Sequence, residues 1–191
     1  MSKIIDVAAI HFNVSERGDQ GRDEAFRQFR EAEKRLDGTG VDLVVTCEGM
    51  SSLGQTMAQA ESFDEPGELL TMYRDFALRN RCTVAGSVKL RVEDKVFNAQ
   101  VFIGPDGAFT GYYAKAYPTP RELERGISPG SGAVVVDTPA GRLGGMICYD
   151  LNFDALAEQY RALSPDILCF SSMFHGDHLQ AARAYCARSF F

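Results

Sequence analysis

Short apolar runs alternate with amphipathic stretches of helical period, and that alternation constrains the fold of this chain more than any other feature. Residues 4–12 (IIDVAAIHF) predict a buried strand. Over residues 22–36, Ala25, Phe26, Phe29, Ala32, Glu33 and Leu36 recur at near-helical spacing with charges opposite, and Asp37-Gly38-Thr39-Gly40 ends the predicted helix. Residues 42–46 (DLVVT) predict a strand running into Cys47-Glu48-Gly49. A second amphipathic helix follows over 68–79, with Leu69, Met72, Tyr73 and Phe76 on one face, and then a strand over 83–88. The pattern changes after that. Residues 96–103 and 109–114, joined by Pro105-Asp106-Gly107, predict a β-hairpin, and residues 134–138 and 142–148, joined by Pro139-Ala140-Gly141, predict another. A helix over 154–162, a strand over 166–170 (DILCF) and a helix over 179–189, with Ala182, Tyr185 and Cys186 on one face, complete the series. Strand–helix alternation implies helices packed on a sheet, and hairpins add an antiparallel part. The expectation is one α/β domain, residues 1–191, with a mixed sheet.

Composition excludes several classes. The 191 residues suit a single domain, and 45% hydrophobic with 24% charged residues is ordinary for a globular protein. Lys plus Arg number 20 against 26 Asp plus Glu, and a net charge of −6 argues against nucleic acid as a partner. No apolar run reaches the roughly 18 residues that span a bilayer, so no membrane partner is expected. The first residues carry Lys3 and then an apolar run broken by Asp6 and His11, which reads as a strand rather than a signal peptide. The five cysteines, Cys47, Cys82, Cys148, Cys169 and Cys186, are odd in number and scattered without a CxxC. That pattern points to neither a disulfide framework nor a zinc site, and reduced thiols in a cytoplasmic protein are the expectation. His175, Asp177 and His178 fall short of a metal-ligand set, so no metal is expected.

Three residues stand where chemistry is easily mounted. Cys148 ends the apolar strand Gly144-Gly145-Met146-Ile147 at a turn toward a helix, a place that exposes a nucleophile beside free backbone N–H groups. Glu48 follows the strand 42–46 directly, and carboxylates at strand ends of α/β sheets often line the ligand crevice. Lys115 follows the strand 109–114. Each alone is a weak signal, since most Cys residues are structural and most Glu and Lys are solvated.

The three in the order Glu, Lys, Cys resemble the nitrilase superfamily of carbon–nitrogen hydrolases. The resemblance runs through DVAAIHF, DLVVTCEGM, FNAQVFIGPDGAFTGYYAK with its Asn98, SPGSGAVVVDTPAGRLGGMICYDLNF and AARAYCARSFF, and covers essentially the whole chain. It implies an α-β-β-α sandwich and an amidase-like carbon–nitrogen hydrolase without a cofactor. It further implies a small-molecule, amide-like substrate and a homo-oligomer. Cys148 would attack the amide carbon and form a thioester, Glu48 would serve as general base, and Lys115 with the backbone N–H of Tyr149 would stabilise the oxyanion. A second active-site Glu is implied between Lys and Cys. Glu122 is the expectation and Glu124 the alternative. Tyr149, after the nucleophile, and His175, in a later loop, are implied at the substrate pocket, while His11 reads as a core or pocket-edge residue.

The substrate is left open. A small linear amide leads, with an N-carbamoyl compound, a nitrile or acyl transfer by the same residues as alternatives, and a non-catalytic homologue acting in assembly as the competing class. Two departures from the family pattern stand out: Asp154-Ala155 replaces the usual Pro-Glu after CYDLNF, and the chain ends at Ser189-Phe190-Phe191, where a further strand is implied. A C-terminally truncated sandwich is therefore expected, in which the sheet carrying 166–170 has an unpaired edge and uncovered apolar surface, with weak activity and self-association.

Overall fold

The computed structural model describes residues 4–14 and 18–191; Lys3 lies outside them. In chain order the elements are β1 (Val7–Ile10), α1 (Gly18–Leu36), β2 (Leu43–Thr46), α2 (Gly49–Gly54), α3 (Glu68–Asn80), β3 (Thr83–Val92), β4 (Lys95–Ile103), β5 (Phe109–Ala114), α4 (Pro120–Glu124), β6 (Val135–Thr138), β7 (Gly141–Ile147), a 3-10 turn (Cys148–Asn152), α5 (Asp154–Leu163), β8 (Ile167–Ser171) and α6 (His178–Ala187).

The strands form two sheets, as the resemblance implies, where periodicity alone reached no further than a mixed sheet. The first runs β1-β2-β3-β4-β5 and the second β6-β7-β8. β1, β2 and β3 pair in parallel, β3–β4 and β4–β5 antiparallel, β6–β7 antiparallel and β7–β8 in parallel. The reason for two sheets lies in side-chain alternation. On the inner strands, Val44, Val84, Val101 and Ile103 join one core with Phe26 and Phe29 of α1 and Tyr73 and Phe76 of α3. Their neighbours Leu43, Ala85 and Phe102 join a second core with Leu143 and Ile147 of β7 and Leu168 of β8. Strands apolar on both faces need a layer on each side. Helices cover one face and the second sheet covers the other, while Leu156 and Tyr160 of α5 close the far side of that second core. An α-β-β-α layering results.

Two glycines set the spacing on β7. A Cβ on Gly145 would stand 2.5 Å from the Tyr113 side chain of β5, and one on Gly144 would stand 2.7 Å from the Tyr160 ring. Both faces of the strand that leads to Cys148 are thus in close contact, one with the opposite sheet and one with α5.

Several local expectations are revised. The strand predicted over 83–88 continues to Val92 and turns back at Glu93-Asp94 into β4, with Glu93 left-handed at φ 54°. β1 is shorter than 4–12 and forms a sheet edge, with Val7 52% exposed, so it is not the buried strand predicted, and His11 is exposed rather than core. The face of α6 bearing Ala182, Tyr185 and Cys186 points to solvent, while Arg183 and Ala187 are buried. Arg183 earns its burial by donating to the Leu151 carbonyl at 2.8 Å and to Asp154 at 2.6 Å, so α6 is held by polar bonds to the segment after Cys148. β8 is an edge strand of its sheet and meets one isolated bridge there, where the Phe190 carbonyl accepts from Leu168 N–H at 2.8 Å and its N–H donates to the Asp166 carbonyl at 2.9 Å.

Candidate active site

Glu48, Lys115 and Cys148 all leave the ends of strands on one side of the sandwich. Glu48 follows β2 and begins α2; Lys115 follows β5; Cys148 follows β7. Lys115 is buried, and its Nζ donates to Glu48 Oε1 at 3.0 Å and to the two oxygens of Glu122 at 3.1 and 2.9 Å. The Cys148 thiol lies close enough to Glu48, Lys115 and Ser172 for each of them to act on its ionisation. All three residues, drawn from 48, 115 and 148, meet at one point, joined there by Glu122.

Asn98 ties the acids together. Its Nδ2 donates to Glu48 Oε1 at 2.9 Å and to Glu122 Oε1 at 2.7 Å, while its Oδ1 accepts from Ser51 Oγ at 3.2 Å. Behind Ser51 the network runs on through Ser87 Oγ at 2.8 Å to the Thr46 hydroxyl, which accepts from Ser87 N–H at 2.9 Å. The Met173 N–H, in the loop after β8, donates to the second oxygen of Glu48 at 3.3 Å. Buried polar atoms here find partners, as the low local dielectric demands.

The electrostatics follow from these contacts. Burial alone would lower the Lys115 pKa, but the charges of Glu48 and Glu122 outweigh it and the net shift is upward, so the ammonium stays charged. Burial works to raise Glu122, but the hydrogen bonds and charge of Lys115 and the bond from Asn98 outweigh it and hold it below its usual range. The Cys148 thiol moves the other way: burial first and the Glu48 carboxylate second push it up, against the pull of Lys115. An upward shift favours the protonated thiol at rest over a preformed thiolate.

The choice between Glu122 and Glu124 is one of local geometry. Glu124 is exposed on α4, while Glu122 faces inward. Thr119 caps α4 by accepting from Glu122 N–H, and its own N–H donates to Glu122 Oε2 at 2.8 Å, a reciprocal capping box with Pro120 in the first turn. The motif Thr-Pro-Arg-Glu carries that signal in the sequence and would have singled out Glu122.

Cys148 sits at φ 47°, a left-handed conformation that a non-glycine residue adopts only when its surroundings impose it. Tyr149 is partly exposed, and its ring meets Phe153 edge-on at 5.3 Å, while Tyr117 stacks on the same ring at 3.8 Å. His175 lies exposed in the loop after β8, with its carbonyl bonded to Gln180. Asp177 and His178 are also exposed, and among the described residues no three His, Cys, Asp or Glu side chains gather as a metal site.

The sequence reading missed Lys89. Its Nζ, half-buried on β3, donates to the carbonyls of Ser51 and Gln55 at the end of α2, and burial draws its pKa down to about 8. Its only sequence sign is a lysine on a strand in which Val88 and Leu90, its immediate neighbours, are buried. Lys89, Asn98, Glu122 and Arg125 also stand in the wall of an open cavity of about 740 Å³.

The family model for carbon–nitrogen hydrolases matches residues 14–191. The nitrilase and fragile histidine triad fusion protein of Drosophila melanogaster is 33% identical over 146 residues, covering 68% of this chain and 31% of that protein. The chloroplastic omega-amidase of Arabidopsis thaliana is 30% identical over 144 residues, covering 65% of this chain and 39% of that protein. The chain thus spans well under half the length of these curated relatives. Among solved structures, Nit3 of Saccharomyces cerevisiae, a member of branch 10 of the nitrilase superfamily, superposes with a TM-score of 0.74 at 21% identity, covering 94% of this chain and 71% of that one.

Proposed function

The chain belongs to the carbon–nitrogen hydrolase family of the nitrilase superfamily, and from that premise we propose that it hydrolyses a small linear amide through a cysteine thioester. The observation that carries this reading is a buried Lys115 ammonium locked between the Glu48 and Glu122 carboxylates, with the Cys148 thiol within electrostatic reach of both Glu48 and Lys115. The similarity to an omega-amidase adds support for an amide over a nitrile.

An amide carbon is a weak electrophile, so the reaction is split in two. As Cys148 sulfur attacks the carbonyl carbon, Glu48 takes the thiol proton. The carbonyl oxygen becomes an oxyanion, met by the Lys115 ammonium and the Tyr149 N–H, one of the amides that the start of a helical turn leaves without an acceptor. Collapse breaks the C–N bond, and Glu48 passes its proton to the departing nitrogen, which leaves as ammonia. Water then attacks the thioester, Glu48 takes one of its protons, and the carboxylic acid and free thiol return. Glu122 stays an anion throughout. Its role is to keep Lys115 charged and aimed, since both its oxygens accept from that one group.

In this reading Tyr149 and His175 edge the substrate, and the protein works as a homo-oligomer; light scattering measures the second point. The chemistry is tested by ammonia release from a panel of linear amides, N-carbamoyl compounds and nitriles, with mass spectrometry of the trapped acyl-enzyme. Ammonia from amides, with the acyl mass on Cys148, is the expected result. Turnover that survives loss of the thiol, or an acyl mass on another residue, overturns it.

A further inference from the structure

Asp150 is a buried carboxylate that the proposed chemistry leaves unused. It lies two residues past Cys148 and accepts hydrogen bonds from three places. Its Oδ2 accepts from the Tyr113 hydroxyl at 2.8 Å and from the Ile147 N–H at 3.0 Å, and its Oδ1 accepts from the Tyr117 N–H at 2.8 Å. Ile147 is the residue before Cys148. Tyr113 and Tyr117 stand two residues before and two after Lys115. The Tyr113 hydroxyl also accepts from the Ala116 N–H at 3.2 Å, which fixes the residue next to Lys115. One carboxylate therefore clasps the turn that carries the thiol, on one sheet, to both flanks of the lysine, on the other.

This clasp acts where the backbone needs holding. Cys148 is left-handed, a conformation that persists only if neighbouring contacts over-determine it. Burial raises the Asp150 carboxyl to about 6 against the effect of its three hydrogen bonds, so the group is ionised at neutral pH in a site that disfavours charge.

We propose that Asp150 is a positioning residue that sets the separation of the Cys148 thiol from the Lys115 ammonium by tying the residue before the thiol to the backbone on both sides of the lysine. The inference rests on Cys148 being the nucleophile.

The sign of one measurement separates positioning from other roles. Cys148 faces Glu48, Lys115 and Ser172, and Asp150 faces Tyr113 of β5, Lys115 just after it and Tyr160 of α5. Asparagine at 150 keeps the shape but turns an NH₂ toward a backbone N–H or a hydroxyl that now lacks its acceptor, so the clasp loosens. The thiol then loses part of the Lys115 attraction that lowers its pKa. The experiment is the pH profile of iodoacetamide alkylation of Cys148, wild type against Asp150→Asn, both carrying Cys186→Ser because Cys186 is exposed. The expected result is a shift of the profile to higher pH by roughly one unit, with alkylation about tenfold slower below it. A group acting only through its charge gives the opposite sign, since removing an anion near the thiol moves the profile down, and that result overturns the proposal. So does an unmoved profile in a folded variant, which marks Asp150 as structural only. On substrate, kcat is expected to fall with KM unchanged. If Asp150→Asn fails to fold, Tyr113→Phe decides: it removes one of the three bonds, and a smaller upward shift supports the clasp while no shift overturns it. Alkylation needs no substrate, so it reports on Asp150 even if the wild-type protein releases no ammonia from any amide.

Discussion

The two sheets bring different kinds of chemistry to the site. The five-stranded sheet supplies Glu48, Asn98 and Lys115, buried and cross-bonded, with Glu122 closing the cluster from α4. The three-stranded sheet supplies Cys148 on a left-handed turn, next to a partly exposed Tyr149 and an exposed loop after β8. The difference follows from what each group must do. Buried charges are tolerated only when every partner is in place, because an unpaired ion in low dielectric is costly. A nucleophile must be reached by a substrate, so it sits where the packing ends. Stability and charge reside on one side of the site, and access on the other.

If that division holds, substitutions on the two sides should separate activity from stability. The largest expected effect on rate is at the thiol. Cys148→Ala should remove turnover by about 10⁴-fold or more while costing on the order of 1 kcal/mol of stability, because a small side chain at a turn leaves little cavity. Steady-state kinetics with denaturant unfolding measures both, and a collapse in stability would break the comparison.

Lys115→Ala should damage both properties. Two carboxylates lose the cation that neutralises them, so the expected cost is about 3–5 kcal/mol of stability, with kcat reduced about 10²- to 10³-fold in whatever remains folded. A variant as stable as wild type would show that the cluster contributes less to holding the first sheet than its geometry implies.

The two acids should titrate against stability with opposite signs. Asp150 has a folded pKa raised to about 6. The native state therefore binds more protons than the unfolded chain between its ordinary value near 4 and about 6, and stability falls as pH rises through that window. The swing is on the order of 2–3 kcal/mol, present in wild type and missing from Asp150→Asn. Glu122 is lowered, so its contribution is present above its ordinary value and is lost as pH falls below it. Unfolding curves from pH 3 to 7 for wild type, Asp150→Asn and Glu122→Gln measure the two slopes, and slopes of the same sign would contradict the assignment.

The smallest effect is expected at Glu124, which is exposed two residues from Glu122. Glu124→Gln should stay within about 0.5 kcal/mol and leave kcat unchanged, whereas Glu122→Gln should lower it. Equal effects would mean that α4 matters as a whole and not through its inward-facing acid.

Much of this arrangement was legible from local pattern. Helical period located α1, α3, α5 and α6 to within a few residues, and apolar runs with Pro-Asp-Gly and Pro-Ala-Gly turns located the β4–β5 and β6–β7 hairpins. Glu48, Lys115 and Cys148 each fall at the end of a strand, a position readable from neighbours in sequence, but that signal is weak for each alone, and it was the resemblance to the nitrilase superfamily that picked them out as a set. The Thr119–Glu122 capping box was equally readable.

What the tertiary structure alone decided involves partners distant in the chain. The division into two sheets was implied by resemblance and not by pattern: it depends on which face of β2, β3 and β4 meets which layer, and apolar runs do not label their faces. The buried face of α6 turned on Arg183 finding Leu151 and Asp154, which no periodicity of its own ten residues could encode. Asn98 and Asp150 stood out only as parts of motifs, and nothing local named their partners: one bridges acids at 48 and 122 and the other clasps residues 113, 117 and 147. Period and turn chemistry act over a few residues and determine the elements; a hydrogen-bond acceptor acquires its role only when packing brings its donors within about 3 Å.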